Sequence, residues 1–143
     1  MLTFSIFFEV KLASSPRVTI WGPGTPRRDF MYADDMADAC VYAMSLPDSE
    51  FVPLLAANRN DGLPPVLNVG VGSDVTIAEV AKLVARTVGF AGKIDYDRTK
   101  RDGTPRKLMD SSRLNALGWS ATTTLQVGLA RAYEDFLMRQ PSE

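Results

Sequence analysis

The stretch that most constrains the fold is TIAEVAKLVARTVG, at positions 76–89. It opens with a Thr76-x-x-Glu79 capping box, in which each side chain can accept a hydrogen bond from a backbone N–H of the first turn. It closes with Gly89, a residue type that suits the left-handed conformation at many helix ends. Apolar residues recur between them at helical spacing and form one face. The segment therefore predicts an amphipathic helix that packs on a core through Ile77, Val80, Ala81, Val84 and Val88.

The remaining sequence alternates short strand patterns with helical ones, which predicts a small α/β fold with few short strands and three main helices at 34–46, 76–89 and 124–139. Runs rich in β-branched and aromatic residues predict strands, and apolar residues every three or four positions predict helices. The predicted strands are RVTIWG at 17–22, VLNVG at 66–70 and KIDYD at 93–97, a short helix is predicted at 113–117, and the last helix turns Leu125, Leu129, Ala132, Tyr133, Phe136 and Leu137 inward.

The helix predicted from Asp34 or Asp35 to Leu46 has an unusual distribution of apolar residues. An aspartate can cap its N-terminus, and Pro47 ends it. Its apolar residues lie nearly all the way round, a pattern typical of a helix that is buried on more than one side. We therefore expect a second surface to cover this helix. The residues concerned are Met36, Ala37, Ala39, Cys40, Val41, Ala43, Met44 and Leu46.

Residues 47–65 interrupt this regular pattern. The stretch PDSEFVPLLAANRNDGLPP contains four prolines and an Asn-Asp-Gly turn signal. Because proline lacks a backbone N–H and fixes its own φ, such a stretch predicts a long irregular connection. The length of 143 residues suits a single domain over 1–143.

Composition excludes several classes of function. The chain has no histidine and one cysteine, Cys40, so an intramolecular disulfide is impossible and the usual zinc ligand sets are out of reach. A net charge of −1 argues against a dedicated nucleic-acid binder. The apolar run in MLTFSIFFEV lacks a basic leader and is too short to span a bilayer. We expect a cytoplasmic protein without nucleic-acid or membrane partners.

The tetrapeptide Gly-Thr-Pro-Arg occurs twice, in GTPRRD at 24–29 and in DGTPRK at 102–107. In each case a second cation follows the arginine directly. A turn framed by glycine and proline fixes the backbone and presents N–H groups, and the adjacent cations add charge-assisted hydrogen bonds. Each turn is a candidate anion site, and two of them predict a ligand held from two sides. The alternative is that both are solvated surface turns.

Two other motifs resemble cofactor or catalytic signatures but depart from them. In NVGVGSDV, a strand would lead into Gly70-x-Gly72, yet the third glycine of a dinucleotide fingerprint is replaced by Val75. We therefore interpret it as a tight turn before a helix. Tyr96 and Lys100 have the Tyr-x-x-x-Lys spacing of short-chain dehydrogenases, but they follow a predicted strand, where this spacing does not bring the two side chains together.

Three segments carry a resemblance to a known family: VTIWGPGTPRRDFMYADDMADA, LNVGVGSDVTIAEVAKLV and DGTPRKLMDSSRLNALGW. In this order they resemble the C-terminal part of the GDP-L-fucose synthases. These are NADP-dependent epimerase-reductases among the extended short-chain dehydrogenases, in the NAD-dependent epimerase/dehydratase family, and they act on GDP-4-keto-6-deoxy-D-mannose. The resemblance covers residues 7 to 137, and residues 1–6 are unlike the family.

The resemblance implies a site for a GDP-sugar. Trp21 matches a tryptophan that contacts the sugar–diphosphate region; the alternative is a core tryptophan at a strand end. Arg28 matches the arginine of an Arg-Glu-Phe triplet that grips a phosphate, with Asp29 replacing the glutamate. Asp102 matches an acidic residue that accepts hydrogen bonds from the N1–H and the exocyclic amine of guanine, a pair of donors that uracil lacks, and Lys107 matches a lysine near the nucleotide. The two turns would then form opposite walls of one site.

In that family an N-terminal Rossmann domain carries NADP, the catalytic serine and the Tyr-x-x-x-Lys pair. The resemblance therefore implies that the 143 residues are the substrate-binding portion, without a Rossmann domain, catalytic residues or bound NADP, and inactive alone. The helix at 34–46 would pack towards the Rossmann domain or, failing that, support self-association. The alternatives are a stand-alone nucleotide-sugar binding or interaction module, and a fragment of a related nucleotide-sugar epimerase or dehydratase.

Overall fold

The computed structural model of the chain describes residues 16–56 and 66–139. These residues divide into two compact units. The turn unit comprises 16–28, 75–107 and 125–139, and the helical unit comprises 29–56, 66–74 and 108–124. The strands are β1 (Arg17–Trp21), β2 (Arg27–Arg28), β3 (Val75–Thr76), β4 (Lys93–Asp97) and β5 (Arg106–Lys107), and the helices are α1 (Ala33–Ser45), α2 (Asp48–Ala56), α3 (Ile77–Val88), α4 (Ser112–Ala116) and α5 (Leu125–Met138). The α/β prediction is confirmed.

Two small sheets organise the turn unit. β1 pairs with β4 in parallel, from Arg17 opposite Lys93 to Trp21 opposite Asp97. β2 lies between β3, which is antiparallel to it, and β5, which is parallel to it. The strands predicted at 17–22 and 93–97 are confirmed, whereas the two-residue strands β2, β3 and β5 are too short to leave a sequence pattern.

Helix α3 has the features expected from its sequence. Thr76 Oγ1 accepts from the Glu79 backbone N–H, and Glu79 accepts in return from the Thr76 backbone N–H at 2.7 Å. Gly89 has φ 68°, the left-handed conformation. The helix packs on α5, so that its apolar face becomes a large part of the buried core of the turn unit. Buried apolar residues of this unit are Val18, Val80, Ala81, Val84, Ala85, Val88 and Leu129.

The helical unit has its own core, made of Ala39, Leu114 and Trp119. The Trp119 indole N–H donates to Asp38 Oδ2 at 2.8 Å, so the polar edge of this buried ring is satisfied. Tyr42 donates its hydroxyl proton to the Leu117 carbonyl. These two hydrogen bonds fasten α1 to the segment that follows α4.

The N-terminus of α1 differs from the prediction. The helix begins at Ala33 after Tyr32, which makes no side-chain cap, and Asp34 and Asp35 lie in the first turn. Asp35 is only 8% exposed, and its carboxylate accepts from the Thr123 backbone N–H (2.9 Å) and hydroxyl (3.0 Å) and from the Thr122 hydroxyl (3.3 Å). A carboxylate occupied by these partners no longer serves as the N-cap.

Three further predictions are wrong. Residues 66–70 form no strand and pair with no strand among the described residues; Leu67 and Val69 pack instead on the core of the helical unit. Residues 48–56 form α2 although Pro53 lies inside it, and the Pro47 carbonyl accepts from the Glu50 and Phe51 N–H groups at the helix start. The rest of the predicted connection, 57–65, lies outside the described residues. Leu137, predicted to face inward, is 47% exposed.

An apolar face of α1 is exposed. Met36 is 40% exposed, Val41 is 66% exposed and Met44 is 86% exposed, and Cys40 is also exposed. The pattern that predicted a helix with two apolar faces therefore corresponds to one buried face and one open face in the structure. Within 16–56 and 66–139, no helix is long and apolar enough to cross a membrane.

Candidate functional site

The two Gly-Thr-Pro-Arg turns lie side by side in the turn unit. The first connects β1 to β2 and the second connects β4 to β5. β1 is parallel to β4, and β2 is parallel to β5. Arg27 lies opposite Arg106 and Arg28 opposite Lys107, so the two tetrapeptides are aligned residue for residue. The Arg27 backbone N–H donates to the Pro105 carbonyl at 2.8 Å. The structure thus brings the two turns together. They end in neighbouring strands of one sheet and do not face each other as the predicted opposite walls of a site.

The cations of the two turns divide between the two faces of this small sheet. Successive strand residues point to opposite faces, and register partners in neighbouring strands share a face about 4.8 Å apart. Arg28 and Lys107 therefore share one face, and Arg27 and Arg106 share the other. On the Arg27 face, hydrogen bonds from Thr76 lower the pKa of Glu79, with a smaller contribution from the Arg27 charge. We call the Arg28 face, together with Trp21, Lys100 and Asp102, the paired-turn site.

Arg28 also contacts the second turn. Its Nη1 donates to the Arg27 carbonyl at 2.7 Å, and its Nη2 lies 3.3 Å from the position that a Cβ on Gly103 would occupy. The guanidinium group is therefore folded over its own strand and lies against the neighbouring turn. A Cβ at position 103 would therefore require this end of the guanidinium group to shift slightly.

Asp102 lies against the first turn. A Cβ at Gly22 would collide with Asp102 Oδ1, and Gly22 has φ 80°, which is strained for any residue with a Cβ. Asp102 is exposed, and its carboxylate makes no hydrogen bond or ion pair to any residue in 16–56 or 66–139. It is therefore an acceptor available to a ligand.

Trp21 is 74% exposed, so the alternative of a core tryptophan is wrong; Trp119 is the buried one. The Lys100 ammonium lies 5.4 Å from the centroid of the Trp21 ring, within the range of a cation–π contact. Sequence reasoning considered Lys100 only as the partner of Tyr96 in a Tyr-x-x-x-Lys spacing and did not predict its contact with Trp21.

The loop that carries Lys100 and Asp102 starts from a hydrogen-bonded turn. The Asp97 carboxylate accepts from the Thr99 backbone N–H (3.0 Å) and hydroxyl (2.6 Å), and these bonds lower the pKa of Asp97. The Asp97 carbonyl accepts from the Gly22 N–H at 2.8 Å and from the Lys100 N–H at 3.3 Å. One residue therefore ties the start of this loop to the end of β1.

The residues of the Tyr96 and Lys100 spacing lie on a strand and on the loop that follows it. Tyr96 belongs to β4, and its ring packs at Gly24, where an added Cβ would lie 2.6 Å from Tyr96 Cε1. Lys100 lies after the strand and over Trp21. The prediction that this spacing does not lie on a helix is confirmed.

The Gly70-x-Gly72 turn does not fit the pyrophosphate of NADP. The Val71 backbone N–H, a donor that a phosphate would need, donates to Asp29 Oδ1 at 3.3 Å. A Cβ at Gly70 would lie 2.6 Å from Asp29 Oδ2 and 2.7 Å from Met109 Cβ. A carboxylate and a methionine already fill the space beside this turn, and the carboxylate would repel an anion. Among the described residues, no cluster of three potential ligands suits a metal ion.

Comparisons with known proteins identify the family. A family model described as NAD dependent epimerase/dehydratase family matches residues 8–60. GDP-L-fucose synthase 1 of Arabidopsis thaliana is 45% identical over 92% of this chain and 36% of its own length. GDP-L-fucose synthase of Escherichia coli is 41% identical over 94% of this chain and 40% of its own length.

A solved structure agrees with these matches. The GDP-mannoheptose C4 reductase of Campylobacter jejuni with NADP bound has a TM-score of 0.77 and 31% identity, over 95% of this chain and 43% of its own length. The match thus extends to three-dimensional structure. The chain belongs to the GDP-L-fucose synthase family of NAD-dependent epimerases and dehydratases, and it spans well under half the length of the relatives that it matches.

Proposed function

We propose that this chain is the substrate-binding portion of a GDP-L-fucose synthase, the NADP-dependent epimerase-reductase that converts GDP-4-keto-6-deoxy-D-mannose to GDP-L-fucose. In this proposal the paired-turn site holds the GDP moiety. The observation that carries it is the parallel register of the two Gly-Thr-Pro-Arg turns, which gives Arg28 and Lys107 neighbouring places on one face. The family supports a nucleotide-sugar as the ligand.

The diphosphate is assigned to Arg28 and Lys107. Two cations on neighbouring strands repel each other, and a bound dianion would remove that repulsion and gain charge-assisted hydrogen bonds from both. Arg28 suits a phosphate oxygen pair because its guanidinium is planar and presents several N–H groups. Lys107 is exposed and makes no hydrogen bond or ion pair within 16–56 and 66–139, so its ammonium is available to the ligand.

The guanine base is assigned to Asp102 and the sugar–diphosphate region to Trp21. A carboxylate can accept from the N1–H and the exocyclic amine of guanine, whereas uracil offers no such pair of adjacent donors. Asp102 suits this role because it is exposed and has no hydrogen-bond partner among the described residues. The Trp21 indole offers an apolar face and one N–H donor to a sugar.

We assign no catalytic step to these residues. The Gly70 turn does not suit NADP, and Tyr96 and Lys100 do not form a proton-donating pair, so we expect hydride transfer to depend on residues outside the 143. The proposed enzyme is cytoplasmic. Two alternatives remain, a stand-alone nucleotide-sugar binding module and a portion of a relative that uses another nucleotide-sugar.

The test is titration calorimetry of the chain with GDP and with UDP. We expect GDP to bind more tightly than UDP. Arg28→Ala should weaken both by about tenfold or more, since a hydrogen bond to a charged group contributes about 1.5 to 3 kcal/mol. Asp102→Ala should remove the preference for GDP and leave UDP binding nearly unchanged. The control is Arg86→Ala, which removes an exposed arginine from α3.

Three results bear on the alternatives. Equal binding of GDP and UDP to the unmutated chain would contradict the guanine-reading role and favour a relative with a different nucleotide. An equal loss for both nucleotides in Asp102→Ala would mean that Asp102 does not contact the base. Unchanged affinity in Arg28→Ala would refute the diphosphate assignment.

A further inference from the structure

The orientation of Trp21 is not determined by burial. Its side chain is 74% exposed at the end of β1, so apolar packing leaves most of the ring free to reorient. The contact recorded over its face is the Lys100 ammonium, at 5.4 Å from the ring centroid. A cation over an indole is attracted by the negative face of the ring. This contact therefore restrains a ring that the core does not hold.

The backbone delivers Lys100 to this position. Trp21 is the register partner of Asp97 in the β1–β4 sheet. The Asp97 carbonyl accepts from the residue after Trp21, Gly22, and from Lys100 itself. The Thr99 bonds to the Asp97 carboxylate tighten the same turn. Because the backbones on both sides of the contact are anchored to one residue, the sheet and the turn keep the Lys100 side chain within reach of the Trp21 ring.

We propose that Lys100 is a positioning residue of the nucleotide site, which holds the Trp21 ring by one face so that the opposite face receives the sugar of a bound nucleotide-sugar. This rests on the proposed function of the paired-turn site. Restraining the ring before binding lowers the conformational entropy that the ligand must remove. Lys100 acts through Trp21 and is not itself assigned to the phosphates.

The first measurement needs no ligand. The chain contains two tryptophans, Trp21 and Trp119, and therefore two indole N–H signals in a proton–nitrogen NMR spectrum. Trp21→Phe assigns them. We expect Lys100→Met to shift the Trp21 signal and increase its mobility, Lys100→Arg to restore both, and the Trp119 signal to stay in place because Asp38 holds it. Lys82→Met, at an exposed lysine of α3, is the matched control.

The second measurement is a double-mutant cycle with GDP-mannose as the probe. Lys100→Met should weaken binding by about two- to fivefold, the range expected from an exposed cation–π contact. In a Trp21→Ala background the same change should have no further effect, because the ring that Lys100 positions is gone. Lys100→Arg should bind as the unmutated chain does.

The outcomes separate this inference from the function on which it rests. A Trp21 signal that is identical in Lys100→Met and Lys82→Met overturns the inference. So does a loss of affinity that persists in the Trp21→Ala background, since Lys100 would then act directly on the phosphates. If the unmutated chain binds neither GDP nor GDP-mannose, the failure belongs to the proposed function, and the Trp21 signal alone decides whether Lys100 holds the ring.

Discussion

Asp35→Ala is expected to destabilise the helical unit. The Asp35 carboxylate accepts three hydrogen bonds, two from Thr123 and one from Thr122, and it is almost fully buried. Thr122 is exposed, so water can replace its bond. Thr123 is half-buried, and its backbone N–H would lose its partner. An unsatisfied buried donor costs about 1 to 3 kcal/mol, which we take as the expected loss.

Urea unfolding monitored by the fluorescence of Trp119 measures this loss, because that residue lies in the core of the helical unit. With a slope of about 2 kcal/mol per molar urea, the midpoint should fall by about 0.5 to 1.5 M. Asp34→Ala is the matched control, since Asp34 occupies the preceding position of the same helical turn but is exposed. Equal midpoints for the two variants would refute the reasoning.

The effect should depend on pH. Burial raises the pKa of Asp35, but the hydrogen bonds from Thr123 and Thr122 outweigh it, and the pKa lies below its ordinary value. A carboxyl group with a lowered pKa stabilises the folded state above its unfolded pKa, near 4, and loses that contribution as pH falls through the folded pKa. The difference in unfolding free energy between the unmutated chain and Asp35→Ala should therefore be largest at pH 7 and decrease below about pH 4.

Two further predictions concern activity and association. The 143-residue chain should not oxidise NADPH in the presence of a keto-sugar nucleotide, because Asp29 fills the space beside the Gly70 turn and Lys100 lies over Trp21 instead of beside Tyr96. A substrate-dependent loss of NADPH absorbance would contradict this prediction. The exposed apolar face of α1 should bind a hydrophobic dye or drive self-association, and Met44→Lys should reduce both effects. The prediction is contradicted if the chain sediments as a monomer and does not increase the fluorescence of the dye.

Local interactions made several elements predictable from the sequence. The capping box, the apolar face and the terminal glycine of α3 all act within the helix itself, so its boundaries followed directly. The strands β1 and β4 were recognisable because each is five residues long and carries its own pattern. The second apolar face of α1 was also visible, because the distribution of apolar residues around a helix depends on the sequence alone, but the predicted surface that would cover it is absent from the described residues.

Other features depended on which segments meet in space. Asp34 or Asp35 was predicted to cap this helix, but the Asp35 carboxylate accepts hydrogen bonds from Thr123, which is remote in sequence. Residues 66–70 have the composition of a strand, yet they form none. A strand forms only beside a neighbouring strand with free backbone N–H and C=O groups, and the local sequence does not tell whether such a neighbour is present. Pro53 suggested a break, although a helix can lose one hydrogen bond and continue.

The repetition of Gly-Thr-Pro-Arg was evident in the sequence, and each copy was predicted to be a turn that could bind an anion. Only the tertiary structure decided that the two copies align in register and that Lys100 lies over Trp21. Turn formation depends on a few adjacent residues, whereas the register depends on the parallel pairing of β1 with β4, across a separation in sequence that local preferences cannot bridge.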